Sequence, residues 1–477
     1  MKLPKTIADV CVNKFLILLL FYFVLQVILR IIISPNVGLD ESEMLILTQK
    51  LSLGYNSQPP LYAWIQYLYF KLFGVNIFAM SLLKNTLLFL TYYFVYQSSY
   101  IITKDRIAAS LASSGLIFFP QISWESQRAL THSVLVTTIS SATLYVLLKI
   151  KNASQKEIKI SHYIILGVLI GLGMLSKYNY AIFILALFIA LLLERSNSYL
   201  LLKKESFIVV IVATILVLPH FYWILTHLSL ATSSIIHKLH PTHNSLHFLY
   251  GIADLLRAII VFIAVFVIIF TLFFGKYFTN NKNKFLFYFL VSVLAILAIF
   301  AIVSGATKFK DRWMQPYLFV FSLYLTSNLN IKKIKKEKIG YYFMSVCLFM
   351  CIIFAALVFR TCFSDLIGKH KKLNYPFHAI SYKIKNRLGF DNGIIVAENY
   401  FIGGNLKLNF KNSKVYIGHC PNTAKKDKVL IAWKKNRPCN TNIKKQTYLQ
   451  ECISSRYFCS KKGYYKLNVI LINPKKP

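Results

Sequence analysis

The chain has 477 residues, 56% of them hydrophobic, and carries 55 Lys and Arg against 17 Asp and Glu, a formal charge of +38. Apolar stretches recur at the length of a bilayer's hydrocarbon core, about 20 residues, which excludes a soluble globular domain and makes this a polytopic membrane protein. Nucleic acid is excluded as a partner because the basic residues lie between apolar spans and in one tail, and an AT-rich genome accounts for the surplus of Lys as well as any use of the overall charge does.

The first apolar run, 14–34, is too long for a signal-peptide core and is followed by no small-residue cleavage site, so it reads as a retained helix. Ten further spans are expected at 78–102, 107–121, 131–149, 161–176, 179–193, 206–226, 252–274, 285–304, 314–329 and 339–360, about eleven in all. Lys and Arg collect on every second connection, at 104–106, 149–159, 194–205, 275–284 and 331–338, which places those loops and the N-terminus in the cytoplasm. The other connections, and everything after the last span, then face the opposite side. From about Arg360 the apolar density falls, and alternating segments such as "GIIVAENYF", "SKVYIGH", "KVLIAW" and "LNVILI" between turn residues predict a small mixed α/β domain over 361–477. Cys420, Cys439, Cys452 and Cys459 lie there, an even set that suits disulfides on an oxidising side without fixing their pairing.

The first non-cytoplasmic loop, 35–77, is the chemically conspicuous one. It opens with "DESE", placing Asp40, Glu41 and Glu43 beside the membrane in a chain with only 17 acids. The string fits a helix start with Asp40 as N-cap and Glu43 as its capping-box partner. Capping leaves Glu41 unexplained, however, and a carboxylate on a membrane-side cavity is a candidate general base. Then "GYNSQPPLYAW" breaks one short amphipathic segment and starts another carrying Tyr62, Trp64, Tyr67 and Tyr69, which suits either a lid of interfacial helices or an ordinary aromatic belt.

The carboxylate pair after the first span, the glycine-tyrosine turn, "PPL" and the Trp, with "WESQRALTHSVL", "GLGMLSKYNYAIF", "LPHFYWILTH" and "DRWMQPYLF" further on, resemble the GT-C membrane glycosyltransferases. The nearest group is the glycosyltransferase 39 or protein-mannosyltransferase-like family, similar to the lipid A aminoarabinose transferase group. The resemblance covers nearly all of the transmembrane part, 1–360. It implies an α-helical GT-C fold in a bacterial inner membrane, with periplasmic catalysis and the C-terminal domain also periplasmic. It further implies a polyprenyl-phosphate-linked sugar donor and inverting transfer to lipid A, lipopolysaccharide or another lipid. Asp40 would be the catalytic carboxylate, with Glu41 beside it.

Two positions depart from the family pattern. Gln58 stands before Pro59 and Pro60 where many relatives carry Lys or His, and Thr131 and His132 stand where many carry a "TD" pair. If that Lys normally holds the donor phosphate, another cation replaces it, from Lys84, Arg128, Lys177 beside Tyr178, Lys308, Lys310 or Arg312. Lys84 lies within a span, where a cation needs a partner: a lipid phosphate, a salt bridge or the membrane surface. Substrate contacts are therefore expected from Gln58, Pro59, Pro60, Tyr62, Lys84, Arg128, His132, Lys177, Tyr178, Lys308 and Arg312. His227, His237, His240, His243 and His247 include spacings of three and four that suit one helix face or a zinc site, but Pro241 interrupts them and no Cys or carboxylate is near, so a loop with incidental His is favoured. A divalent metal shared with Glu41, as some relatives have near the donor, is left open. The rival class is a lipid or solute transporter or flippase, against which no inverted repeat is apparent. A subunit that merely presents a basic tail to lipid A would need no carboxylate in the first loop.

Overall fold

The computed structural model describes residues 3–129, 131–153, 158–194, 203–232, 247–279, 283–367, 370–419, 427–435, 448–457 and 464–473. Each of the eleven expected spans falls on helix. Among the described residues, seven helices are long and apolar enough to cross a membrane: Phe15–Ile33, Ile77–Thr103, His132–Asn152, Ser206–Thr226, Leu249–Tyr277, Lys284–Ser304 and Lys336–Cys362. The segment expected as one span at 107–121 is instead a pair, Arg106–Phe118 and Gln121–Arg128, bent by 72°. The bend falls at Pro120 and a π-helical turn, Gln121–Glu125, since a proline cannot donate to the turn before it. Ile160–Ser176 and Tyr180–Leu193 are shorter apolar helices, broken at Lys177–Asn179, and 315–327 holds two short helices, Gln315–Leu318 and Val320–Ser327.

The chain divides into two compact units. One comprises Met1–Phe23, Ser52–Tyr62 and Thr86–Ile353, the other Val24–Leu51, Ala63–Asn85 and Phe354–Pro477. In the first, "GVLIG" lets Ile160–Ser176 lie directly on Ser206–Thr226: a Cβ on Gly167 would come within 2.8 Å of the Val209 carbonyl oxygen, and one on Gly171 within 2.9 Å of Leu216. Small residues four apart are how membrane helices gain close packing where lipid removes the hydrophobic drive between them.

The second unit contains a five-stranded sheet in the order β2-β1-β3-β5-β4, with β1 Ile394–Ala397, β2 Lys414–Ile417, β3 Val429–Trp433, β4 Tyr448–Arg456 and β5 Tyr464–Ile472. β1 pairs in parallel with β2 and β3, while β5 runs antiparallel to both β3 and β4. The four segments read as strands in the sequence are β1, β2, β3 and β5. β4 was missed because "YLQECISSR" alternates poorly. Phe377, Ile380, Ile384 and Leu388, spaced by three and four on the Phe377–Leu388 helix, join Ile402 and Leu406 of Tyr400–Asn409 and alternate residues of the strands in one core. Ile46, from the first loop, packs against that same core.

Candidate active site

The acidic loop belongs to the second unit. The Phe15–Ile33 helix ends on Arg30, whose guanidinium donates to the carbonyls of Ser34 (3.2 Å) and Asn36 (2.8 Å) and so closes the chain's exit from the helix. The same guanidinium grips Glu41 in two places, Nε to Oε1 at 3.1 Å and Nη2 to Oε2 at 2.8 Å. Glu41 sits in the first turn of the Leu39–Leu47 helix and also accepts the Gly38 backbone N–H at 2.9 Å. This corrects the capping expectation. The N-cap position is Gly38, the carboxylate serving the helix start is Glu41, and Asp40 is already inside the first turn.

Burial pushes the Glu41 carboxyl up, but the Arg30 and Lys84 charges and the hydrogen bonds from Arg30 and Gly38 outweigh it and hold it at about 2. Glu41 is thus a fixed anion. Lys84, buried on Ile77–Thr103, reaches Glu41 Oε1 only at 4.0 Å, the outer limit of an ion pair, and also feels Asp40. Lys372 is a second cation near Asp40. Burial lowers it, Asp40 partly restores it, and its Nζ stands 5.5 Å from the Phe401 ring centre. Asp40 is therefore a half-buried carboxylate among cations, and its neighbour Glu41 fixes the frame that holds it.

Residues distant in sequence set the loop's course. Ser34 Oγ donates to the Leu373 carbonyl at 2.7 Å. Asn405 on Tyr400–Asn409 brackets the loop, its Oδ1 accepting from Val37 N (3.0 Å) and its Nδ2 donating to Val37 O (3.2 Å) and Ser42 Oγ (3.3 Å). Gln49 pairs both ways with the Val415 backbone of β2, at 2.9 and 2.8 Å. A Cβ on Gly404 would meet Ser42 Cα and its carbonyl oxygen at 2.5 Å, so the two helices touch through backbone. Arg30, Lys372, Asn405 and Gly404 escaped the sequence reading. Arg30 looks like a snorkelling residue at a span's end, and nothing local in the tail announces the other three.

The remaining expected site residues lie in the first unit. Tyr62 and His132 are buried with ring centres 5.5 Å apart. Lys177, in the break between two helices, donates to Ser133 Oγ at 2.8 Å. Tyr178 shares a 3.2 Å hydrogen bond with His220 Nε2, and His220 Nδ1 donates to the Leu53 carbonyl at 2.7 Å. Tyr178, His220, Trp223 and His227 form a stacked ladder of rings, and a Cβ on Gly54 would strike Trp223, so "GY" is where the loop presses on it. Gln58 is half-buried, Pro59 and Pro60 are buried, and the Gln58 N–H donates to Asn56 Oδ1 at 2.9 Å. Arg128 pairs with Glu125 beyond the π-helical turn, which Gln121 ties to Asp311 at 2.6 Å and Gln315 ties through the Gln121 carbonyl. Lys308 and Lys310 are exposed and Arg312 half-buried. Lys310 is 5.9 Å from the Trp313 ring centre.

Among the described residues no three His, Cys, Asp or Glu side chains converge as a metal site, and Glu41 already accepts three hydrogen bonds, two from Arg30 and one from Gly38. Of the histidine loop, positions 237, 240 and 243 lie outside the described residues, as do Cys420, Cys439 and Cys459; Cys452 is an exposed free thiol on β4.

Residues 57–223 match the dolichyl-phosphate-mannose-protein mannosyltransferase family. The chain is 30% identical over 434 residues, 87% of its length and 86% of the relative's, to the lipopolysaccharide core galacturonosyltransferase RgtB of Rhizobium johnstonii, and 29% identical to RgtA of the same organism over 88% and 86%. Its fold is that of ArnT from Cupriavidus metallidurans, solved bound to undecaprenyl phosphate, with a TM-score of 0.64 at 12% identity, covering 96% of this chain and 98% of that one. The apo form of that protein matches with a TM-score of 0.61.

Proposed function

The chain belongs to the GT-C membrane glycosyltransferases, in the family of the lipopolysaccharide core galacturonosyltransferases, and from that premise we propose that it moves a sugar from a polyprenyl phosphate to a lipopolysaccharide or lipid A acceptor. It is a multi-pass membrane enzyme and not a transporter. The observation that carries the reading is kinship with two such transferases over 87–88% of the chain, joined to a half-buried Asp40 set among cations at the membrane. The relatives make a hexuronic acid the first donor sugar to assay. Transfer takes place on the periplasmic face of the inner membrane, with the N-terminus cytoplasmic and residues 361–477 a periplasmic domain.

In the proposed step the acceptor hydroxyl attacks the anomeric carbon in line, the bond from that carbon to the phosphate oxygen breaks, and configuration inverts. Asp40 takes the hydroxyl proton. The polyprenyl phosphate departs with its electron pair, and Lys84 and Lys372 balance its charge. Glu41 positions and does not react, because Arg30 and Gly38 occupy its oxygens. Gln58, Pro59, Pro60, Tyr62, Arg128, His132, Lys177, Tyr178, Lys308 and Arg312 are proposed substrate contacts, to be tested singly. Among the described residues no cluster of metal-ligating side chains forms at the acidic loop, and the proposed step is carried by Asp40, Lys84 and Lys372.

The test is mass spectrometry of lipid A, core oligosaccharide and total lipid from cells lacking the gene, complemented with the native chain or with Asp40→Asn. A glycosyl-sized mass should vanish in the deletion, return with the native chain and stay absent with a folded Asp40→Asn protein. Equal return with both removes Asp40 from the chemistry. No change in any glycolipid removes the proposed acceptor class.

A further inference from the structure

A cavity of about 370 Å³ opens in the first unit, where the Ile77–Thr103 and His132–Asn152 helices end and the Ile160–Ser176 helix begins. Lys104, Lys149, Asn152 and His162 form its polar lining, Ile101, Ile150, Ala153 and Ile158 its apolar lining, and among the described residues no carboxylate lines it. Neither lysine makes an ion pair among the described residues, whereas Lys151, two positions on, is matched to Glu194 at 2.8 Å. The nearby Asp105 turns its carboxylate away to cap the next helix, accepting from Ile107 and Ala108 at 2.7 and 3.0 Å.

Two details show a side chain placed there for its head group. Lys104 closes the Ile77–Thr103 helix in the left-handed conformation, with φ of 54° and its N–H donating to the Tyr100 carbonyl at 2.9 Å. Glycine adopts that cap freely and an L side chain does so at a cost, yet the position carries a lysine whose side chain lines the cavity. His162 Nδ1 accepts the Lys159 backbone N–H at 3.1 Å, which puts the imidazole proton on Nε2 and leaves the ring a donor there. Two ammonium groups and one N–H donor over an aliphatic floor, at the level where spans end, match a phosphodiester whose glycerol and acyl chains continue along the helices.

We infer that this cavity binds the head group of an anionic phospholipid, at a site separate from the transfer reaction. The inference does not depend on which sugar or acceptor the enzyme uses. Inorganic phosphate shares the recognised chemistry, but the isoleucine floor and the position at the span ends favour the lipid.

Native mass spectrometry of the full chain, released from micelles titrated with phosphatidylglycerol, phosphatidylcholine or inorganic phosphate, reads the site directly. The native chain should prefer phosphatidylglycerol to phosphatidylcholine. The variant Lys104→Gly with Lys149→Ala should lose about 30-fold in phosphatidylglycerol affinity, some five-fold for each lysine. Glycine suits the cap, so that variant should melt no lower than the native chain and keep its transferase rate. Equal phosphatidylglycerol affinity in the native and variant chains would overturn the site. Phosphate that binds alone as tightly, and displaces the lipid at equal concentration, would overturn the lipid as its occupant.

Discussion

At the scale of single residues, the acidic loop separates two carboxylates that adjoin in sequence. Glu41 is held at about 2 against an ordinary 4.5, so it remains ionised throughout the physiological range. A carboxyl with a lowered folded value contributes stability that is fully present above pH 4.5 and is lost as pH falls towards 2. In detergent, the melting temperature of the native chain should therefore hold through neutral pH and drop in that acid window. Glu41→Gln should start lower and show a shallower acid drop, and parallel curves for the two would refute the pairing. Arg30→Met leaves the buried Glu41 with the Gly38 N–H and only the distant Lys84 as a counter-charge, and should cost about 3 kcal/mol. The sequence made Asp40 and Glu41 visible because acids are scarce in it, but it could not divide their roles. The division is made by Arg30, eleven residues away across the end of a span, and a guanidinium there reads equally well as a residue reaching for the interface.

Among elements, apolar runs were legible wherever lipid or a buried core dictates composition, which is why eleven segments fell on helix and four on strands. The coupling of the Leu39–Leu47 helix to Tyr400–Asn409 was not legible, since it rests on one asparagine and one glycine more than 350 residues away. Asn405 supplies an amide oxygen and an amide nitrogen to opposite backbone groups of Val37, as a neighbouring strand would, and this fixes the start of the helix that carries Asp40. Asn405→Asp keeps the shape and the acceptor but loses both donor hydrogens. It should lower kcat for transfer at least ten-fold while moving the donor KM little, because Asp40 is displaced and the cations are not. Gly404→Ala forces its methyl into the Ser42 backbone and should cost about 1–3 kcal/mol in addition to a similar loss of kcat. Kinetics of the purified variants beside their melting curves separate the two effects. A variant that melts lower but turns over normally would show that the contact only stabilises the fold.

Across the whole molecule, the surplus of positive charge has a direction. The loops that alternate with the acidic and aromatic ones hold most of the lysine and arginine of the transmembrane part, and the tendency of such loops to stay in the cytoplasm predicts the orientation proposed above. Orientation decides whether the acidic loop can meet lipopolysaccharide at all, so it bears on the function more than any one contact does. Lys335, exposed in the 331–338 connection, and Tyr382, 65% exposed on the Phe377–Leu388 helix, stand before and after the Lys336–Cys362 span. In a chain whose native cysteines are replaced by serine, Tyr382→Cys should react with a membrane-impermeant maleimide in spheroplasts, and Lys335→Cys only after the membrane is opened. The reverse pattern would put Asp40 and the 361–477 domain in the cytoplasm, where a nucleotide sugar would be the available donor and the polyprenyl-phosphate chemistry proposed for the site would have to be withdrawn.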